Sequence, residues 1–586
     1  MKAEMTKTPK QKQKQNQATI RIVIMACIVI CVNVLASYVH KGIDLTKENR
    51  FSLSPSTKKM LRNMPEVAVV DVYLKGKFPA ELQRLQEAVR ERLNSFKDIA
   101  GNKVIFRFSD PLEGKSDAEQ KQIAHDLDNK GIRVMELKDQ GEEGYSTKIF
   151  IPYALVQYNG KEMPVMLLED PPGSTPAEKI SLAESLLEFK FANAISQMQL
   201  KARPRIAYLI GNDEEFGIKT FDMLASLPHY YDVDTLDLAH IRQIPLVYDA
   251  IIINEPKTPF TGPEKLRIDQ YIMHGGHVLW NVNVLNASID SLEAHPPQIM
   301  AMEYGLELDE LLFKYGVRIN ADLVEDKQCL PLPRVMNGGA PVLNKWVFFP
   351  MLNPTADHPI VRNMGFLFGK FTNSIDTLKV SDVTKTVLLQ SSNISRVASA
   401  PVRVSLSMMN YEMNDAQFNK PYRPVAVLLE GKFTSAFKNR LAPEFLKFLA
   451  DSSLPFKQAC DSSTSMIVSS IGDLFGNAYS TTSGVLPMGY YRYDGHLYAN
   501  KTFLFNSLQY LTDHSGILET RAKQVKLRLL DSSRVKDEKT EWQLINVGVP
   551  VALVLMFASG YLFFRKRRYE TKLTKSAPDK NEKTLS

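Results

Sequence analysis

The chain has 586 residues, 44% hydrophobic and 23% charged, which is too long and too apolar for a disordered segment or a disulfide-stapled miniature. Four cysteines cannot build a disulfide framework. The net charge of +7 resides in the ends: residues 1–39 carry +5 and residues 544–586 carry +5, which leaves 58 basic against 61 acidic side chains between them. A nucleic-acid binder needs its positive charge on the folded domain, so that class falls away.

In chain order, a basic tail over 1–19 leads into an apolar run over 20–39 (IRIVIMACIVICVNVLASYV). As a helix rising about 1.5 Å per residue, twenty residues span about 30 Å, the thickness of a bilayer's hydrocarbon core. A cleaved signal peptide is the competing reading, though the run exceeds the usual length of a signal core. A second run over 544–564 (LINVGVPVALVLMFASGYLFF) carries no charge, and a basic tail over 565–586 follows it. Lys7, Lys10, Lys12 and Lys14 lie outside the first run, and Arg565, Lys566, Arg567 and Arg568 outside the second. The positive-inside rule then predicts two transmembrane helices, both termini in the cytoplasm, and the body between them exported across the inner membrane.

The exported body divides, on pattern, into a module over 40–200, an α/β domain over 201–300 and a strand-rich continuation over 301–543. In the first module, strands near 67–73 and 103–108, helices over 80–99 and 117–129, a run at 132–137 and strands near 149–157 and 165–168 give a βαβαββ order resembling a thioredoxin-like module. The module holds no cysteine, so dithiol chemistry is not expected there. A helix over 176–198 bridges to a second unit with strands at 205–210, 248–253 and 277–281 and a helix over 263–273. In a doubly wound sheet the carboxyl ends of such strands line one crevice, where ligands bind. Asn212, Asp213, Glu214, Asn254, Glu255 and Asn281 are therefore expected along one edge. Amides and carboxylates in that arrangement suit sugar hydroxyls, or a glycosidase carboxylate pair; helix capping and turn formation favour the same residue types. Further runs at 318–324, 347–350, 385–390, 424–430 and 465–471 read as the same α/β region with inserts, and 503–512 as an amphipathic helix.

There is no GxxxxGK[ST] loop, HExxH, GxSxG or CxxC, so neither nucleotide-driven nor zinc or thiol chemistry is expected, and no cofactor is implied. His274 and His277 flank Gly275-Gly276 without a clear third ligand. Cys329 and Cys460 would close a long loop if bonded, but read more naturally as free buried thiols.

The order of short segments between the two anchors carries a resemblance. It comprises Asp44-Leu45-Thr46 through Phe51-Ser52-Leu53-Ser54, Arg203-Pro204-Arg205-Ile206-Ala207, Tyr248-Asp249-Ala250-Ile251-Ile252-Ile253 with Gly275-Gly276, and Gly431-Lys432-Phe433-Thr434-Ser435-Ala436-Phe437. Asn506 with Tyr510-Leu511 and the Asn546 to Pro550 opening of the last span complete it. The chain resembles the gliding-motility GldG family of Bacteroidetes and related auxiliary components of uncharacterised ABC transport systems. The resemblance implies a non-enzymatic, membrane-tethered partner of an ABC-type ATPase and a multispan permease, of substrate-binding or scaffold type, reaching other periplasmic or cell-envelope proteins. It also implies a second module similar to a domain of an intraflagellar-transport protein and distantly to class I glutamine amidotransferases. Amidotransferases need a nucleophilic cysteine at a strand-to-helix elbow; here that turn reads Gly211-Asn212-Asp213-Glu214, so amidase activity is not expected. A membrane-tethered saccharide-binding module is the alternative reading.

Overall fold

The computed structural model describes residues 20–32, 52–442, 455–522 and 538–573, apart from gaps at 22, 77, 142–143, 170, 172, 335–340, 411–413, 483 and 514. The chain divides into two units, Met1–Val525 and Lys526–Ser586. It is a mixed α/β protein.

Pro176–Gln199 is the longest helix of the first unit, and its sequence explains its place. A capping box starts it: the Thr175 hydroxyl accepts from the Glu178 amide while the Glu178 carboxylate takes the Thr175 amide, with Pro176 supplying a pre-set φ. Apolar residues surround it, and 13 of its 24 side chains are buried, so it is stable only when packed on more than one side. One side meets Ala80–Ala100, whose Leu82, Leu85, Val89, Leu93 and Phe96 form a single stripe. Phe96 and Phe191 meet edge to face at 6.4 Å. Buried Glu188 is held by the Ser54 amide at 2.6 Å and by Arg92 at 3.6 Å.

These helices cover one face of a four-stranded sheet in the order Val104–Phe108, Ala68–Val72, Tyr153–Tyr158, Lys161–Met166. The first pair is parallel and the other two are antiparallel. Leu127 of Asp117–Asn129 joins a small core over Tyr153 and Leu155. The run expected at 132–137 is displaced: Met135–Gly141 pairs with Gly144–Phe150 as a separate hairpin.

The second sheet is built from more distant parts of the chain. Its order is Cys329–Arg334, Val342–Pro354, Val383–Gln390, Pro424–Gly431, Thr464–Ser469, His277–Asn281, Ala250–Asn254, Arg205–Ile210, Asp232–Asp237, with Leu367–Phe368 paired to Val342–Pro354 off this path. The five strands from Thr464–Ser469 to Asp232–Asp237 are parallel. Counted by chain position these five run 2-1-3-4-5, the doubly wound order. Alternate residues go to opposite cores. Ile206, Tyr208, Ile252, Leu279 and Ile467 join the cluster that contains Pro176–Gln199 and Asn500–Thr512, and Ala207, Ile251, Ile253, Val278, Trp280 and Val468 join the cluster under Gly262–Met273.

The strand-rich stretch beyond residue 300 returns strands to this same sheet, so residue 300 is no break in it. The run read at 318–324 is two strands, Val317–Ile319 and Asp322–Asp326, which pair with Ile375–Thr377 and Ser395–Ser399. The division falls where Asn320 turns to bond Ser374 and buried Asp322 accepts from both the Ser374 amide and its hydroxyl. Cys329 and Cys460 are both free and buried, and Cys460 lies in the core under Gly262–Met273.

In the second unit, Lys539–Leu573 is one helix, and its Glu541–Arg567 stretch of mean hydropathy 2.1 is long and apolar enough to cross a membrane. The first apolar run is helical over Val23–Val32, shorter than a span, and its remainder to residue 39 lies outside the described residues.

Truncating Phe191 to alanine removes a fully buried ring at the centre of this packing. Phe191→Ala is expected to cost about 3–5 kcal/mol in denaturant unfolding, with near-ultraviolet signals from both sheets lost in one transition; separate transitions would contradict a shared core.

Candidate functional site

The strand order puts the reversal of winding between Arg205–Ile210 and Ala250–Asn254, the place where doubly wound sheets bind ligands. All six expected residues lie at the carboxyl ends of those strands or of His277–Asn281, but they are not equivalent.

Asn254 and Asn281 are register partners at the last positions of adjacent strands, and Asn281 is in turn opposite Ser469. Equal pleat phase points their side chains along the same row, and they form a continuous hydrogen-bond ladder. Asn254 Nδ2 donates to Tyr208 Oη at 3.2 Å, Asn281 Nδ2 to Asn254 Oδ1 at 3.0 Å, and Ser469 Oγ to Asn281 Oδ1 at 3.0 Å. The Tyr208 hydroxyl donates in turn to the Glu215 carbonyl at 2.5 Å, and the Ile471 amide also donates to Asn281 Oδ1. These amides are buried and committed to one another, which is what buried polar groups require.

Glu255 sits one residue beyond, at φ 51°. Asp213 and Asp473 hold the same left-handed conformation at the ends of the neighbouring parallel strands, at 58° and 59°. Such residues turn the chain sharply at the sheet edge, at a small steric cost. None of the six is a helix N-cap: the following helices start after Thr220 and Thr261, and Thr261 does the capping. The turn-forming reading describes Asp213 and Glu255; the capping reading is corrected.

Glu255 Oε1 accepts from the Asp473 amide at 2.6 Å and from Asn281 Nδ2 at 3.5 Å. Burial, followed by the negative field of Asp473, pushes the Glu255 carboxyl up to about 8, so it keeps its proton at neutral pH. Burial works against the Asp473 carboxylate too, but its ion pair with Lys370, reinforced by Lys219 and Lys257, holds it below the usual range. Lys370 reaches it through a backbone bridge to Gly472, whose missing Cβ would fall 2.2 Å from the Lys370 carbonyl. Lys257 pairs with Glu215 at 2.6 Å, and Lys219 with Asp290 at 2.5 Å.

Asn212 and Glu214 belong to the loop rather than the ladder. The Asn212 amide donates to Glu214 Oε2 at 2.8 Å, and the Asn212 carbonyl accepts from the Lys257 and Thr258 amides, which stitches the two strand-end loops together. Burial raises the Glu214 pKa, and its Oε1 has no hydrogen-bond partner among the described residues. Of the six, Asp213 alone is exposed. Phe216, Ile218 and Phe221 project beside it, each more than half exposed.

Lys370, Asp473, Tyr208, Lys257 and Ser469 were not among the expected site residues. The rule that selected Asn281 selects Ser469 and Asp473 once Thr464–Ser469 is known to lie beside His277–Asn281, a pairing across nearly 190 residues.

The arrangement can store a proton on Glu255 and fix its orientation. The Ser469 and Ser470 hydroxyls donate to carbonyl oxygens rather than to a histidine, so no activated nucleophile is formed there. His274 and His277 lie at the opposite ends of the strands, each Nδ1 engaged by a backbone carbonyl. Among the described residues no group of three His, Cys, Asp or Glu side chains could hold a metal ion. Clefts of about 180 and 960 Å³ lie elsewhere. The smaller is lined by Tyr248, His274 and His277, and the larger lies between the two sheets' modules.

The chain is thus an α/β protein whose large sheet is doubly wound, with the polar groups at its switch point bonded to one another. Residues 203–507, just over half of the chain, match the family described as an ABC-type uncharacterized transport system, and the chain belongs to that family. Residues 47–157 match DUF7088, a domain of unknown function. A solved structure titled "mmIFT52 N-terminal domain" is similar at 13% identity over 53% of this chain and 97% of its own, with a TM-score of 0.30. No curated protein matches the chain.

Glu255→Gln tests the stored proton. The raised pKa means that the folded state binds a proton the unfolded chain has released, so its stabilising contribution is complete below about pH 4.5 and is lost as pH rises to about 8, with a slope approaching about 1.4 kcal/mol per pH unit. The variant should lack that slope and gain on the parent as pH rises through this window; parallel stability curves would show that Glu255 is ionised throughout.

Proposed function

We propose that this protein is a membrane-anchored, non-enzymatic auxiliary component of an ABC transporter, similar to the gliding-motility GldG proteins. An accessory role in ABC-type transport follows from the family itself. The finer reading adds two spans with both termini in the cytoplasm, a thioredoxin-like and an amidotransferase-like module in the periplasm, and an ABC-type ATPase and a multispan permease as partners.

One observation carries the non-enzymatic reading: the crevice residues are bonded to one another as a ladder instead of being held ready for a substrate. Three others support the rest. The uncharged stretch inside Glu541–Arg567 is followed at once by cations, as a cytoplasmic flank requires. The exposed Phe216, Ile218 and Phe221 are large apolar side chains gathered in one short stretch of chain, the composition of a protein contact. The order of the four-stranded sheet, with one parallel and two antiparallel pairings, supports the thioredoxin-like reading.

Affinity purification of the full chain from detergent-solubilised membranes, with mass spectrometry of what accompanies it, tests the assignment. The account expects an ATPase and a multispan protein in the eluate, and their loss when residues beyond 538 are removed. Recovery of the chain alone, under detergents that keep other transporters intact, would refute it.

A further inference from the structure

The crevice is occupied by its own side chains, whereas the cleft of about 960 Å³ between the modules is open. Its size is that of a small-molecule site, and boundaries between domains are where such sites are found. The floor is Pro176–Gln199, which contributes Phe189, Lys190, Asn193 and Gln197. One wall comes from the four-stranded module, and the other from Tyr230, Tyr231 and the helix Asn500–Thr512. Asn193 and Gln509 hydrogen-bond at 2.6 Å and join floor to wall.

The charges of this cleft do not balance at its buried corner. Lys130 is matched by Glu162 at 2.8 Å, and Lys501 by Asp222 at 3.0 Å. Glu169 is bonded to Lys190 at 3.0 Å, and it is also the carboxylate whose field reaches Arg521. The buried Arg521 and the half-buried Lys190 thus share one anion among the described residues. Arg521 is 3% exposed and its Nε has no hydrogen-bond partner among the described residues. Its Nη2 donates weakly to the Arg362 and Asn363 carbonyls at 3.3 and 3.5 Å, and its guanidinium lies 4.9 Å over the Phe189 ring. Burial lowers its pKa to about 10, a mark of the cost of a charge short of counter-charge. Within the same cleft Tyr230 and Phe505 pack at 5.0 Å.

We propose that this cleft binds a small organic anion whose carboxylate or phosphate group pairs with Arg521 while its apolar or aromatic body lies against Phe189 and the Tyr230–Phe505 pair. A planar guanidinium presents its donors in a fork, the geometry that suits either oxyanion and that an ammonium cannot copy. An entering anion restores charge balance at the corner, and the aromatic side chains supply the apolar contact that holds the rest of the molecule. This inference is independent of the transporter assignment: the purified chain binds the ligand whether or not an ATPase accompanies it.

Calorimetric titration of the full chain in detergent with benzoate, phenyl phosphate and neutral benzyl alcohol tests it. Saturable binding of benzoate or phenyl phosphate, at least about tenfold tighter than benzyl alcohol, is expected. The tighter of the two anions identifies the head group. Arg521→Gln should abolish that binding. Gln197→Trp, which adds an indole to the floor and leaves Arg521 in place, should abolish it too at an unchanged melting temperature, and it decides the matter if the arginine variant does not fold. No binding of either anion at millimolar concentration, equal binding of benzyl alcohol, or binding that survives Gln197→Trp would overturn the proposal.

Discussion

A helix that is apolar on nearly every side cannot exist at a surface, and Pro176–Gln199 imposes that constraint on the body of this protein. It must be covered by Ala80–Ala100 and the four-stranded sheet, and it does so within a core that also contains Asn500–Thr512 and one face of the large sheet. The buried carboxylate of Glu188 adds a directional requirement, because it has to find the Ser54 amide and Arg92 before the helix can be sequestered. Two modules that differ in topology are thereby made to share one interior.

That shared interior leaves two polar features of opposite character. At the carboxyl edge of the parallel strands, the Tyr208–Asn254–Asn281–Ser469 ladder and the Glu255–Asp473–Lys370 group satisfy one another. A fully connected polar network fixes register and rigidifies a sheet edge, at no demand for a ligand. Between the modules, Arg521 shares the Glu169 carboxylate with Lys190 among the described residues, beside open volume.

Much of this was legible in the sequence wherever a signal is local. The helix expected at 176–198 is Pro176–Gln199 because Thr175, Pro176 and Glu178 announce its start, and the 263–273 helix begins at Gly262 because Thr261 and Glu264 do the same. Strands ending in Gly211-Asn212 and Asn254-Glu255 were visible as apolar runs cut off by turn residues. Partnership between distant strands was not visible: nothing within 464–469 states that it pairs with 277–281, so Ser469 and Asp473 were missed although they finish the ladder and the acid pair. The same blindness to partners merged 318–324 into one strand, where Asp322 in fact bends away to bond Ser374. Cap and turn signals look alike in a sequence, and only the positive φ of Asp213 and Glu255 separates them.

Native-state hydrogen exchange, read peptide by peptide, tests most directly whether the two modules are one body built on the shared helix. Amides of Ala68–Val72, Pro176–Gln199 and Arg205–Ile210 should open with one free energy and respond in parallel to denaturant. Exchange of residues 52–200 at markedly lower protection, while Arg205–Ile210 and His277–Asn281 stay closed, would contradict the account.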